Sequence, residues 1–400
     1  MKPLKIAVYY PWVYLKGGIE RSLAALISRS GHDWTVFTSH YDPDSTFAEF
    51  AKFKMVQVGD VSVRRDMGSV FKASLRIINL RLPLEGFDAF VVWCDGLGTL
   101  TTFRNARIPT FCICSTPLRA VYDPVYAREA LRSRHPLARL AYHLFKHAFH
   151  FTDRLAWSRF DGVVATSREV KERIVRNRLY PDDARMVLYH PGIDVDDAPK
   201  EVSYEPFLLV PGRISWTKNI ELAVDAFLQA GLPAPWRLVV AGFVDQKSQR
   251  YLEQLKQRAG DHARIEFVVS PSDEQLNRLY ETAYAVLFTP LNEDWGMAVL
   301  EGMLRSKPVI ANASGGPRES VVDGATGWLL EPEVGQWSAL LRTLPNQAVA
   351  VKNMGAQARL HVEKYDWKRF VKGVDDLVDS TVQKISKSLP SKSKPNALIP

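Results

Sequence analysis

Short apolar runs alternate with amphipathic stretches along almost the whole chain. In the first half, LKIAVYY (4–10), WTVFT (34–38), KMVQV (54–58), DAFVVW (88–93), PTFCIC (109–114), DGVVATS (161–167) and MVLYH (186–190) predict strands. Near-continuous apolar runs of this length suit strands buried on both faces, as in parallel sheets. Between them the period lengthens. Leu23, Leu26 and Ile27 share one face from Glu20 to Ser30, which predicts a helix.

The polar, proline-punctuated stretch DVDDAPKEVSYEP (194–206) breaks this rhythm and reads as a linker. Alternation restarts with FLLVPGR (207–213), RLVVAGF (237–243), RIEFVV (264–269), AVLFTP (285–290), PVIAN (308–312) and TGWLL (326–330). Strand–helix alternation on both sides of a linker predicts an α/β chain with two domains, since 400 residues exceed what one core usually organises. The expected divisions are 1–195, 206–365, a helix over 366–385 packing back toward the N-terminal domain, and a disordered basic tail over 386–400 rich in Lys, Ser and Pro.

Composition narrows the class. No apolar run approaches the roughly 20 residues needed to span a bilayer. The start, MKPLKIAVYYPW, lacks the long apolar segment and cleavage site of a secretory leader, so a cytoplasmic location is expected. Cys94, Cys112 and Cys114 fall in predicted strands and read as reduced core thiols. A net charge of +8 favours polyanionic partners: nucleotide phosphates, anionic lipid or nucleic acid. From Arg128 to Phe160, Arg128, Arg132, Arg134, Arg139, Lys146, Arg154 and Arg159 are interleaved with aromatic and apolar residues. Such a region either lies on an anionic membrane or packs on a sheet with a solvated basic rim.

Four constellations, and the single Asp95, fall just after predicted strands, where open parallel sheets bind ligands. PGRISWTKN sets Arg213 and Lys218 five residues apart after Gly212. Two cations there can grip a diphosphate and neutralise a departing phosphate, unless they are a solvated surface pair. In LNEDWGMAVLEGM, Glu293 lies in a loop and Glu301 about two turns into a helix expected to begin near Trp295. One acid can accept from sugar hydroxyls and the other from a ribose diol, with Gly296 allowing close approach to the backbone. A capping acid and an exposed helical glutamate are the plain alternative. Gly315 and Gly316, in SGGPRE, either present amides to an anion or make a turn. Gly17 and Gly18, in GGIER with Arg21, lack the G-x-G-x-x-G spacing of dinucleotide sites, which argues against hydride transfer. Asp95, in WCDGLG, either faces a cleft or forms an Asp-Gly turn.

In this order the blocks resemble the retaining nucleotide-sugar glycosyltransferases of family 4. The likeness runs from GGIER through STPLRAVYD and VLYHPGID to GRISWTKN, EDWGMAVLEGM and PVIANASGGPRESVVDGATGWLL. The resemblance implies the GT-B fold, α/β with two Rossmann-like domains facing each other across a cleft. It implies that Arg213 and Lys218 contact the donor diphosphate, Glu293 the donor sugar and Glu301 the nucleotide ribose. Gly17, Gly18, Gly212, Gly296, Gly315 and Gly316 then fall in the donor site, while Arg213, Lys218 and Glu293 carry catalysis. Arg21, Asp95, Ser115, Arg119 and Asp123 fall on the acceptor or sugar side. Ser115 stands where related sequences often have histidine, and Val269 where a glycine commonly precedes the base-binding loop.

The implied reaction moves a hexosyl group, with retention, from GDP-mannose or a UDP-hexose to a saccharide or lipid-linked acceptor. Surface polysaccharide or glycoconjugate synthesis is the implied setting. The nucleotide sugar is a co-substrate, and neither a cofactor nor a metal is expected. An anionic membrane surface on the cytoplasmic side is a further candidate partner. The alternatives are a catalytically silent nucleotide-sugar binder and a sugar-nucleotide epimerase of the same architecture. A nucleic-acid partner explains the charge but none of the ordered motifs.

Overall fold

The structure, a computed structural model, describes residues 2–61, 67–132, 135–181, 183–199, 201–260 and 262–388. Its strands are β1 (Lys5–Tyr9), β2 (Trp12–Val13), β3 (Asp33–Thr38), β4 (His40–Tyr41), β5 (Lys54–Gln57), β6 (Ala89–Gly96), β7 (Thr110–Pro117), β8 (Gly162–Ala165), β9 (Met186–Leu188), β10 (Phe207–Pro211), β11 (Arg237–Gly242), β12 (Ile265–Val269), β13 (Ala285–Phe288), β14 (Val309–Asn312) and β15 (Gly327–Leu330). Each apolar run singled out above forms a strand. The two-residue β2 and β4, which pair with each other, are too short to show a period.

The chain divides into two compact units. One comprises 1–165, 170–189 and 371–400, the other 166–169 and 190–370. The first holds a seven-stranded sheet in the order β5-β3-β1-β6-β7-β8-β9. Its β1 and β6 are central and fully buried from Ile6 to Tyr9 and from Ala89 to Cys94, as unbroken apolar runs require. The helix Gly18–Arg29 follows β1 and buries Leu23 and Leu26. From Val371 the last helix, Trp367–Ser388, also belongs to this unit. There Ser30 donates to Asp375 at 2.7 Å and Leu377 lies against Gly162.

The second unit holds a six-stranded sheet in the order β12-β11-β10-β13-β14-β15. Both sheets grow outward from their first strand, then return to its other side. The gap between β10 and β13 is such a reversal point, where the crevice of a doubly wound sheet opens. The stretch 194–206 is not a free linker. Tyr204 donates to the Ser306 carbonyl at 2.6 Å, and the amides of Ser203 and Glu205 donate to the carbonyls of Glu281 and Thr282 at 3.2 and 2.8 Å. These bonds fold the stretch into the second unit, so the division falls between 189 and 190. Of the expected tail, Ser386 to Ser388 are the end of the last helix, and 389–400 lie outside the described residues.

Candidate active site

Three neighbouring strands of the second unit, β10, β13 and β14, deliver the loops that carry most of the expected donor residues. After β10 the chain turns through Gly212 at φ +115°, a conformation that favours glycine. Gly242 lies so close to the Gly212 carbonyl that a Cβ there would sit 1.9 Å from its oxygen. The loop is therefore pressed onto the end of β11. Arg213 follows, half-buried, with no hydrogen-bond or ion-pair partner for its guanidinium among the described residues.

Lys218 ends the short turn Trp216–Lys218, and its carbonyl accepts from Thr289 Oγ1 at 2.7 Å. Its ammonium donates to Glu293 Oε2 at 2.9 Å, with both side chains about one-fifth exposed. The loop after β10 and the loop after β13 thus meet through an ion pair that spans the reversal point. Water reaches this pair, so it is a site of exchangeable charge rather than a buried structural bridge. Asn312, fully buried at the end of β14, donates to the carbonyls of Thr289 and Pro290 and fixes the root of the Glu293 loop.

The helix Met297–Leu304 starts two residues later than expected. Gly296 sits at φ +94°, and a Cβ there would meet the Phe288 ring at 2.9 Å. Glu301 is therefore about one turn into the helix, not two. Its carboxylate accepts from Tyr280 at 2.7 Å, and Arg305 of the next turn stacks over the same tyrosine. Tyr280 escaped notice because it reads as one apolar position of an amphipathic helix.

Gly315 and Gly316 make a close backbone contact with the acidic loop. A Cβ on Gly315 would fall 2.1 Å from the Glu293 carbonyl oxygen, and one on Gly316 would fall 2.2 Å from that of Trp295. The Gly316 amide donates to the Glu293 carbonyl at 2.8 Å. That amide is taken, so the pair lets the β14 loop pack flush under the acidic loop. Just beyond, Glu319 accepts from the backbone amides of Arg168 and Glu169 at 2.9 and 3.1 Å and pairs with His190 at 2.8 Å. His190 in turn lies on Trp295, with ring centroids 4.4 Å apart. The sequence shows Glu319 beside the glycines, but its partners are more than 120 residues away.

The first unit gathers the remaining residues at the carboxyl ends of β1, β6 and β7. Gly17 caps the helix Gly18–Arg29, and a Cβ there would strike the buried Glu20 carboxylate at 2.5 Å. Gly18 is the first residue of that helix. Arg21 points outward over Phe47. Asp95 lies within β6 next to its end, at a bulge, and not in a turn beyond it. Ser115, within β7, accepts from Trp93 Nε1 at 2.9 Å.

Asp123 is fully buried. It receives two hydrogen bonds from Arg119, at 2.9 and 2.6 Å, and one from the Val125 amide, with Arg173 3.7 Å away. It caps a helix and holds Arg119, whose guanidinium also stacks on Tyr126 at 4.1 Å. Arg173, buried beside it and donating to Thr116, is a further residue that the sequence pattern hid. Among the described residues no group of three His, Cys, Asp or Glu is placed to hold a metal ion.

Comparison with known proteins agrees with this layout. The family model described as "Glycosyl transferases group 1" matches residues 195–361, the part that holds the Lys218–Glu293 pair and Glu301. The chain is 28% identical to the alpha-1,3/1,6-mannosyltransferase ALG2 of Rhizomucor pusillus, over 99% of this chain and 95% of that protein. It is 26% identical to the enzyme of the same name from Homo sapiens, over 87% of this chain and 89% of that one. Its fold resembles sucrose-phosphate synthase from Thermosynechococcus elongatus, with a TM-score of 0.74 at 18% identity, covering 96% of this chain and all of the other. Anabaena HepE in complex with UDP and glucose gives a TM-score of 0.70 at 16% identity, over 94% of this chain and all of that one. The chain shares the GT-B fold of these solved structures. No helix among the described residues is long and apolar enough to cross a membrane.

Proposed function

We propose that this protein moves a mannosyl group, with retention, from GDP-mannose to a hydroxyl of a saccharide carried on a lipid. The observation that carries the reading is the Lys218–Glu293 pair at the reversal point of the second sheet, with Arg213, whose guanidinium has no partner among the described residues, on the same loop as Lys218. A diphosphate entering there offers Lys218 a stronger anion than a single carboxylate. Glu293, released, accepts from a hydroxyl of the donor sugar. Glu301 accepts from the ribose diol. The mannosyl choice rests on the names of the relatives. An alpha-linked product made from an alpha-linked donor requires retention.

In this scheme the bond from the sugar anomeric carbon to the diphosphate breaks, and the electron pair leaves with the phosphate. The acceptor oxygen bonds to that carbon from the same face and gives its proton to the departing phosphate. Arg213 and Lys218 stabilise the negative charge that develops, so the scheme asks for neither a protein nucleophile nor a metal. In this scheme Arg119, held by Asp123, serves the acceptor side.

Transfer assays with GDP- and UDP-sugars test the reading. Arg213→Ala and Lys218→Ala are each expected to raise the barrier by about 2–4 kcal/mol, seen in kcat more than in KM. Near-normal turnover in either variant would overturn the assignment. Hydrolysis of a UDP-hexose but not of GDP-mannose, assayed without acceptor, would correct the donor alone.

A further inference from the structure

The helix Pro136–Trp157 has two faces of different character. Inward it buries Tyr142, Phe149, Asp153, Ala156 and Trp157. Outward it leaves Leu137, Leu140, Leu144, Phe151 and Leu155 between 46% and 71% exposed. At 3.6 residues per turn these five lie within a sector of about 60°, opposite the buried face, over roughly 27 Å of helix. Isolated exposed leucines are ordinary, but a continuous stripe of them is costly in water and marks a contact surface.

Charge says which contact. Beside the stripe stand Arg154 and His143, both exposed, and Arg139 and Arg159 are exposed at either end. The only acid on this helix is Asp153, which is buried. A helix that is apolar on one strip, with Arg154 beside it, Arg139 and Arg159 near its ends and no exposed acid, fits the interface of an anionic bilayer. A protein partner of ordinary composition needs no such one-sided charge.

The inner face links this surface to the acceptor side. Asp153 accepts from Tyr122 at 2.8 Å and from Thr99 at 2.6 Å, and Tyr142 donates to the Ala120 carbonyl. Both tyrosine bonds clamp the short helix Arg119–Tyr122, which carries Arg119. We infer that the stripe from Leu137 to Leu155 docks the protein in the plane of an anionic membrane, and that the same helix holds the Arg119 turn at a fixed height above the lipid surface. The second half of this inference rests on the acceptor-side placement of Arg119 proposed above. The first half stands without it.

Flotation of the full chain with vesicles tests the docking directly and needs no glycosyl transfer. Vesicles of phosphatidylcholine with about 30 mol% phosphatidylglycerol are compared with phosphatidylcholine alone. The protein is expected to float with the anionic vesicles at low salt and much less with the neutral ones. The variant L144E/F151E, which alters only exposed positions, is expected to lose at least about ten-fold in vesicle partitioning while its donor hydrolysis in solution stays unchanged. Failure of the wild type to float with anionic vesicles at low salt would overturn the inference, as would flotation of the variant like the wild type. A concentration-dependent dimer that this variant dissolves would assign the stripe to a second copy of the chain and equally overturn it. Loss of transfer with docking intact would count against the proposed function alone.

Discussion

At the scale of single residues, the groups that matter are charges in unusual settings. Lys218 and Glu293 are paired yet reachable by water, which suits groups that must exchange partners when a donor arrives. Asp153 is the opposite case. It is fully buried, and burial pushes its carboxyl from the ordinary 3.8 up to about 7, even though Thr99 and Tyr122 donate to it. An acid whose value is raised by folding binds more protons folded than unfolded between those two values. Its contribution is therefore present below about pH 4 and is lost as pH rises toward 7. Asp153→Asn is expected to remove this dependence. Chemical denaturation of both proteins between pH 4 and 7 should show the wild type losing ground to the variant by at most about 4 kcal/mol as pH rises. A constant difference across that interval would mean that Asp153 stays ionised in the fold.

At the scale of elements, what the sequence displays is what apolar periodicity encodes. Strands such as IAVY and FVVW are legible because every residue in them is apolar, and their ends place the chemical motifs at once. The start of the Glu301 helix was misread because Gly296 adopts φ +94°, a backbone state that no periodicity reveals. The glycine pair hides its packing from the sequence for a related reason. Its purpose is contact with the loop of Glu293 and Trp295, some twenty residues earlier, and a sequence pattern does not show which backbones touch. The pairing of Asp123 is hidden in the same way, because Arg173, its second basic neighbour, comes 50 residues later. Packing of the glycine pair carries its own prediction. Gly316→Ala places a Cβ 2.2 Å from the Trp295 carbonyl oxygen, and backbone cannot yield cheaply. Calorimetry should show a stability loss of about 2 kcal/mol or more, with donor affinity falling alongside it as the Glu293 loop shifts. An unchanged melting temperature would refute that packing.

At the scale of the whole molecule, two parallel sheets share one winding scheme, and each brings loops from three adjacent strands to the same end. The second unit uses that end for cations and acids, and the first for Arg119, Ser115 and Asp95. A net charge of +8 is consistent with one partner rich in phosphate and another surface rich in anionic lipid. The donor pocket is the claim on which the rest depends, and diffraction from crystals soaked with GDP-mannose tests it most directly. The expected result is a diphosphate within hydrogen-bond reach of Arg213 and Lys218, the ribose against Glu301 and the hexose against Glu293, with the Lys218–Glu293 bond opened. A nucleotide bound away from the ends of β10 and β13, or bound there with that ion pair intact and Arg213 turned aside, would contradict it.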